Sequence, residues 1–134
     1  MNIPNPFDAT VLKLNSLAAD LRMAAMQNQY SPVLKRVDEL RQYSGCFYCV
    51  AYRRDLEKNY PGVCNTCPCH KLGEKTLERS RSYNGCYVRG PYREMVRLAW
   101  WFRTNPDAST AKSLAFACED VVRDMYANEG ILRG

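Results

Sequence analysis

One histidine in 134 residues is the first constraint this sequence sets. A single imidazole rules out an H-E-x-x-H metalloprotease pair and a two-histidine metal nuclease site. The chain also lacks a phosphate-binding G-x-x-x-x-G-K-[ST] loop and a G-x-G-x-x-G dinucleotide fingerprint. Its longest apolar runs extend only a few residues, far short of a membrane span. Residues 1–30 carry Asp8, Asp20 and Arg22 among short apolar clusters and have no basic start followed by an unbroken apolar block, so no secretory signal is expected. Together these absences leave little room for catalysis, and the expectation is a protein that is not an enzyme and has no small-molecule substrate.

What the chain has in abundance is cysteine, seven residues of it. Six of them, and the lone His70, fall between Cys46 and Cys86. Cys46-Phe-Tyr-Cys49 is followed after fourteen residues by Cys64-Asn-Thr-Cys67, then at once by Pro68, Cys69 and His70. Two C-x-x-C pairs near this separation are the usual mark of a four-cysteine zinc site, because each turn sets two thiolates at a bite that a tetrahedral ion accepts. An odd cysteine count and tight clustering argue against a disulfide framework, which would leave a thiol over. A reducing, cytoplasmic setting fits the same reading.

The simplest ligand set is Cys46, Cys49, Cys64 and Cys67, with Cys69, His70 and Cys86 competing for the same ion. One Zn2+ is preferred to two ions bridged by thiolates or to an iron–sulfur cluster. A site closed by four protein ligands has no open position for water or substrate, so its role is structural. The spacing resembles zinc knuckles in general. A short echo, Tyr43-Ser44-Gly45-Cys46-Phe47 against Tyr83-Asn84-Gly85-Cys86-Tyr87, marks Cys86 as a further ligand candidate. The seventh cysteine, Cys118, falls on an apolar helix face and is read as a small core residue rather than a reactive thiol.

Around this cluster the hydrophobic periodicity is helical. The pattern predicts a mainly α protein of about four helices, 8–28, 32–43, 91–103 and 108–128, around an inserted cysteine-rich zinc module (44–90) with little regular structure, the whole forming one domain over 1–134. Asp8 is expected to cap the first helix, whose apolar stripe is Val11, Leu14, Ala18, Leu21 and Ala25, widened by Leu12, Leu17 and Met23. Ser31-Pro32 restarts the chain as N-cap and first turn, Val33, Val37 and Leu40 form one face, and the short connection predicts that the first two helices pack as a hairpin. Gly90-Pro91 opens the third helix. Tyr92, Met95, Val96, Ala99, Trp100, Trp101 and Phe102 make it apolar nearly all round, so it is expected to be the most buried, with at least two of Trp100, Trp101 and Phe102 inside. Asp107 or Ser109 should cap the last helix, Leu114, Cys118, Val121, Val122 and Met125 should share its buried face, and Gly130 is the expected stop.

Net charge is +5, and its placement matters more than its size. Residues 46–97 hold ten basic groups against five acidic ones, so the positive excess sits on the cysteine-rich stretch and the start of the following helix. Tyr43, Phe47, Tyr48, Tyr52, Tyr60, Tyr83, Tyr87 and Tyr92 are interleaved with these cations, a pattern suited to neutralising phosphates and stacking on bases. Arg53, Arg54, Lys71, Lys75, Arg79 and Arg81 are the candidate binding residues. The expected function is a small regulatory or accessory protein that binds nucleic acid through this surface. The alternative is a protein–protein interaction module or inhibitor docking on a nucleic-acid-handling protein, with an exposed ring of the Trp100-Trp101-Phe102 cluster as anchor.

Overall fold

Pro6 begins the first helix at a position where its missing N–H costs nothing. The computed structural model describes residues 6–42 and 90–133, with side chains over 7–40 and 91–133. Helix α1 (Pro6–Gln27) therefore starts before Asp8, which lies in the first turn instead of capping it. The Asp8 carboxylate accepts from both guanidinium amines of Arg133, at 2.8 and 3.2 Å. Asn28 ends α1 in the left-handed region, φ 52°. Asparagine tolerates that conformation better than most residues, and it lets the Gln29 N–H reach back to the Ala24 carbonyl at 3.1 Å.

Val11, Leu14, Leu17, Ala18 and Leu21 of α1 are buried as the stripe predicts, joined by Phe7 and Ala24. Leu12 and Met23 are not part of the stripe: they are 71% and 50% exposed. Successive residues turn about 100° around a helix, which puts both on the side opposite Leu14 and Leu21.

Helix α2 (Ser31–Gln42) begins one residue earlier than expected, with Ser31 inside it and the Tyr30 carbonyl accepting from the Val33 N–H at 3.1 Å. Its Val33, Val37 and Leu40 are fully buried, as expected.

Helix α3 (Gly90–Thr104) buries Tyr92, Met95, Ala99 and Phe102 and leaves Val96 half-buried. Only one of the three consecutive rings is inside. Trp100 is 52% and Trp101 54% exposed, because the steps from Ala99 carry Trp100 to the flank and Trp101 to the back of the helix.

Asn105 and Pro106 break the chain, and Asp107 caps α4 (Ala108–Ala127) through a reciprocal box. The Thr110 N–H donates to Asp107 Oδ1 at 2.8 Å, and the Asp107 N–H donates to Thr110 Oγ1 at 3.2 Å. Leu114, Cys118, Val121, Val122 and Met125 are all buried. The break after α4 falls at Asn128, and Gly130, the expected stop, lies inside a final short helix, α5 (Glu129–Leu132).

Among the described residues, α1 packs most extensively on α4, α4 on α3, and α3 on α2, while the α1–α2 contact is the slimmest of the four. The expected hairpin is thus present but minor. Arg36 meets Asp20 at 2.7 Å and Lys13 meets Glu39 at 2.9 Å, so α2 runs back along α1. Arg22 clasps Glu119 at 2.6 and 2.7 Å and the Phe7 ring meets Tyr126 edge-on at 5.3 Å, so α4 also runs opposite to α1. Tyr30 sits edge-on to Phe102 at 5.7 Å, joining the start of α2 to the end of α3. The result is an up-down-up-down arrangement around one apolar cluster, in which each fully buried large side chain contributes about 1.5–3 kcal/mol.

Candidate binding surfaces

Cys46, Cys49, Cys64, Cys67, Cys69, His70 and Cys86, and the basic residues Arg53, Arg54, Lys71, Lys75, Arg79 and Arg81, all lie outside the described residues. Among the described residues no group of three or more histidine, cysteine, aspartate or glutamate side chains is placed to hold a metal ion. Cys118 is fully buried on α4 and free, and burial, reinforced by the neighbouring Glu119 charge, pushes its thiol up to about 12. Its full burial is in keeping with the core role its helix face predicts.

The charges on the helices are largely matched to one another. Lys13 pairs with Glu39, Arg22 with Glu119, Arg36 with Asp20, Arg97 with Glu94, Arg103 with Asp38, Arg123 with Asp120, and Arg133 with Asp8 and Glu129. Hydrogen bonding from Arg22 holds the Glu119 carboxyl below its ordinary range, and Arg97 does the same for Glu94. Arg133 also lies over the Phe7 ring at 4.3 Å, fastening α5 to the start of α1.

Among the described residues, grooves run between α3 and α4 and between α1 and α2. The larger, about 550 Å³, runs between α3 and α4 and is lined by Glu94, Arg97, Leu98, Lys112, Phe116 and Asp120, with Ser113 and Ala117. Phe116 is 57% exposed, and the Arg123 guanidinium lies 5.3 Å from its ring centroid. Trp101, one turn beyond Arg97 and Leu98, extends the same side of α3. The smaller groove, about 240 Å³, lies between α1 and α2 beside Met23, Pro32 and Arg36.

Periodicity of the buried face does not single out Phe116. It stands two positions from both Leu114 and Cys118, far around the helix from the buried face, and that angular offset is the signal that could have found it. Comparison with family models, curated proteins and solved structures finds no match for this chain. No helix among the described residues is long and apolar enough to cross a membrane.

Proposed function

We propose that this protein is a small, non-catalytic regulatory or accessory factor of the cytoplasm that binds nucleic acid through its cysteine-rich stretch, which a structural zinc ion holds together. The supporting observation is the division of charge. The helices spend most of their cations on their own carboxylates, as the seven paired lysines and arginines above attest. Residues 43–89 carry Arg53, Arg54, Lys58, Lys71, Lys75, Arg79, Arg81 and Arg89 against Asp55, Glu57, Glu74 and Glu78, which is four of the five net positive charges of the chain. A polyanion would therefore be drawn to that stretch rather than to the helices.

Cys46, Cys49, Cys64 and Cys67 would supply the ion with four thiolates, Cys69, His70 and Cys86 being the competing donors, and the ion's role would be to fix the stretch without entering a reaction. The test is binding of the purified protein to duplex and to heparin across a salt series. Affinity should fall steeply with salt, and Arg79→Glu with Arg81→Glu should abolish it while the helical circular dichroism stays unchanged. Binding that ignores both salt and the double reversal would overturn the reading.

The exposure of Trp100 and Trp101 favours a second reading, docking on a nucleic-acid-handling protein as an interaction module or inhibitor with zinc purely structural. Salt-insensitive capture of such a protein, lost in Trp100→Ala and without nucleic-acid affinity, would select it.

A further inference from the structure

We infer that the outward face of α3 and α4 is where two copies of this chain associate, each copy laying Phe116 and Trp101 against the other. This goes beyond the proposed function and does not depend on it. The apolar part of the face is Phe116 and Trp101, both more than half exposed, above the half-buried Leu98 and the buried Ala117. Two large rings turned outward on adjacent helices leave apolar surface in water that a partner would remove.

The polar part of the face indicates which partner. Helices α3 and α4 are antiparallel neighbours joined by the short Asn105–Asp107 turn, so Glu94 and Asp120 share one end of the groove and Lys112 stands at the other. Phe116 lies midway between Lys112 and Asp120. A two-fold axis near Phe116 carries Lys112 of each copy onto the Glu94 and Asp120 end of the other, and it makes the match twice. Among the described residues Lys112 takes part in none of the ion pairs. Glu94 and Asp120 are held by Arg97 and Arg123, yet each carboxylate keeps lone pairs to accept a further donor. A patch complementary to itself is what a closed two-fold contact requires. The apolar residues on the outside of α1, Leu12, Met23 and Met26, lie on a single helix and show no such arrangement.

The size of the face sets the strength of the contact. Helix α3 has 15 residues. At 1.5 Å per residue it is about 22 Å long, and two helices side by side are about 20 Å wide. That footprint falls below the area of permanent dimers and fits a reversible, concentration-dependent one.

Sedimentation equilibrium or light scattering over about a hundredfold dilution of the full chain is expected to show a monomer–dimer equilibrium. Phe116→Glu, at an exposed site, should weaken it by at least about tenfold with the helical signal unchanged. Lys112→Glu should weaken it too, and adding Asp120→Lys should restore it, whereas Leu12→Glu on α1 should leave it intact. A monomer throughout, a dimer indifferent to Phe116→Glu, or charge reversal without rescue would each overturn the inference. So would a monomer that uses Phe116 to hold a different protein.

Discussion

Along the helices, seven lysines and arginines end on a carboxylate of the same frame, whereas the sequence of residues 43–89 holds eight cations, four acids and six cysteines. The two regions answer different physical problems. The frame buries Phe7, Leu14, Leu21, Tyr92, Met95, Phe102 and Leu114 in an apolar core of its own. The cysteine-rich stretch has few large aliphatic residues and six of the chain's seven cysteines. A frame that neutralises itself is free to be a scaffold, and the surplus charge is left to the part proposed to bind.

The sharpest way to break that contrast is to remove the proposed zinc ion. Chelation should forfeit on the order of 10 kcal/mol of binding free energy from the cysteine-rich stretch. Protease cleavage within 43–89 should then accelerate while the helical circular dichroism persists, and elemental analysis of the untreated protein should return one zinc per chain. Collapse of the helical signal in step with zinc loss would erase the distinction between the two regions.

Within the frame, the three consecutive rings of α3 allow a comparison of inside with outside. Phe102→Ala should cost about 3–5 kcal/mol in denaturant unfolding, since it empties a fully buried site. Trp101→Ala, on the exposed side, should stay within about 0.5 kcal/mol. Smaller still than the Phe102 effect, Asp107→Ala should cost about 1 kcal/mol by unmaking the capping box with Thr110.

A small effect is also expected from Glu119→Gln, about 0.5 kcal/mol, because the Arg22–Glu119 pair is partly solvated and salt will screen it. Its pH dependence has a definite sign. Arg22 lowers the Glu119 carboxyl in the folded state, so the stabilisation is full above the ordinary value of 4.5 and fades as pH falls through the lower folded value. Cys118 acts at the other limit. Its raised thiol gives stabilisation that is full below about 9 and is lost as pH rises toward 12, so alkaline unfolding should be milder in Cys118→Ala than in the parent at matched starting stability.

The four helices were legible in the sequence because apolar residues at spacings of three and four have one physical meaning on a chain of this composition. Val33, Val37 and Leu40 on α2, and Leu114, Cys118, Val121, Val122 and Met125 on α4, are buried as that spacing requires. The departures have two causes. Leu12, Met23, Trp100 and Trp101 are apolar but point away from the core, because angular position on the helix rather than hydrophobic character decides what is buried. Asp8 and Gly130 look like helix punctuation by residue type, but α1 already begins at Pro6 and α4 is capped at Asn128. For the proposed metal site the sequence offers a donor set and a spacing, and all of its residues lie outside the described ones. Which four donors bind is a matter of three-dimensional bite, and C-x-x-C spacing does not rank Cys69, His70 and Cys86 against Cys64 and Cys67.

The contact between α1 and α4 bears on how the chain is made. Arg133 holds Asp8 across 125 positions of sequence, and the most extensive helix pair joins the two ends of the frame. Such long-range pairing raises contact order and slows folding. During synthesis α1 emerges roughly ninety residues before α4, a wait of about 5–20 s at ordinary elongation rates. For that interval Val11, Leu14, Leu17 and Leu21 have no partner on α4, and a nascent chain stalled before Ala108 is the form of this protein most exposed to aggregation and to chaperone capture.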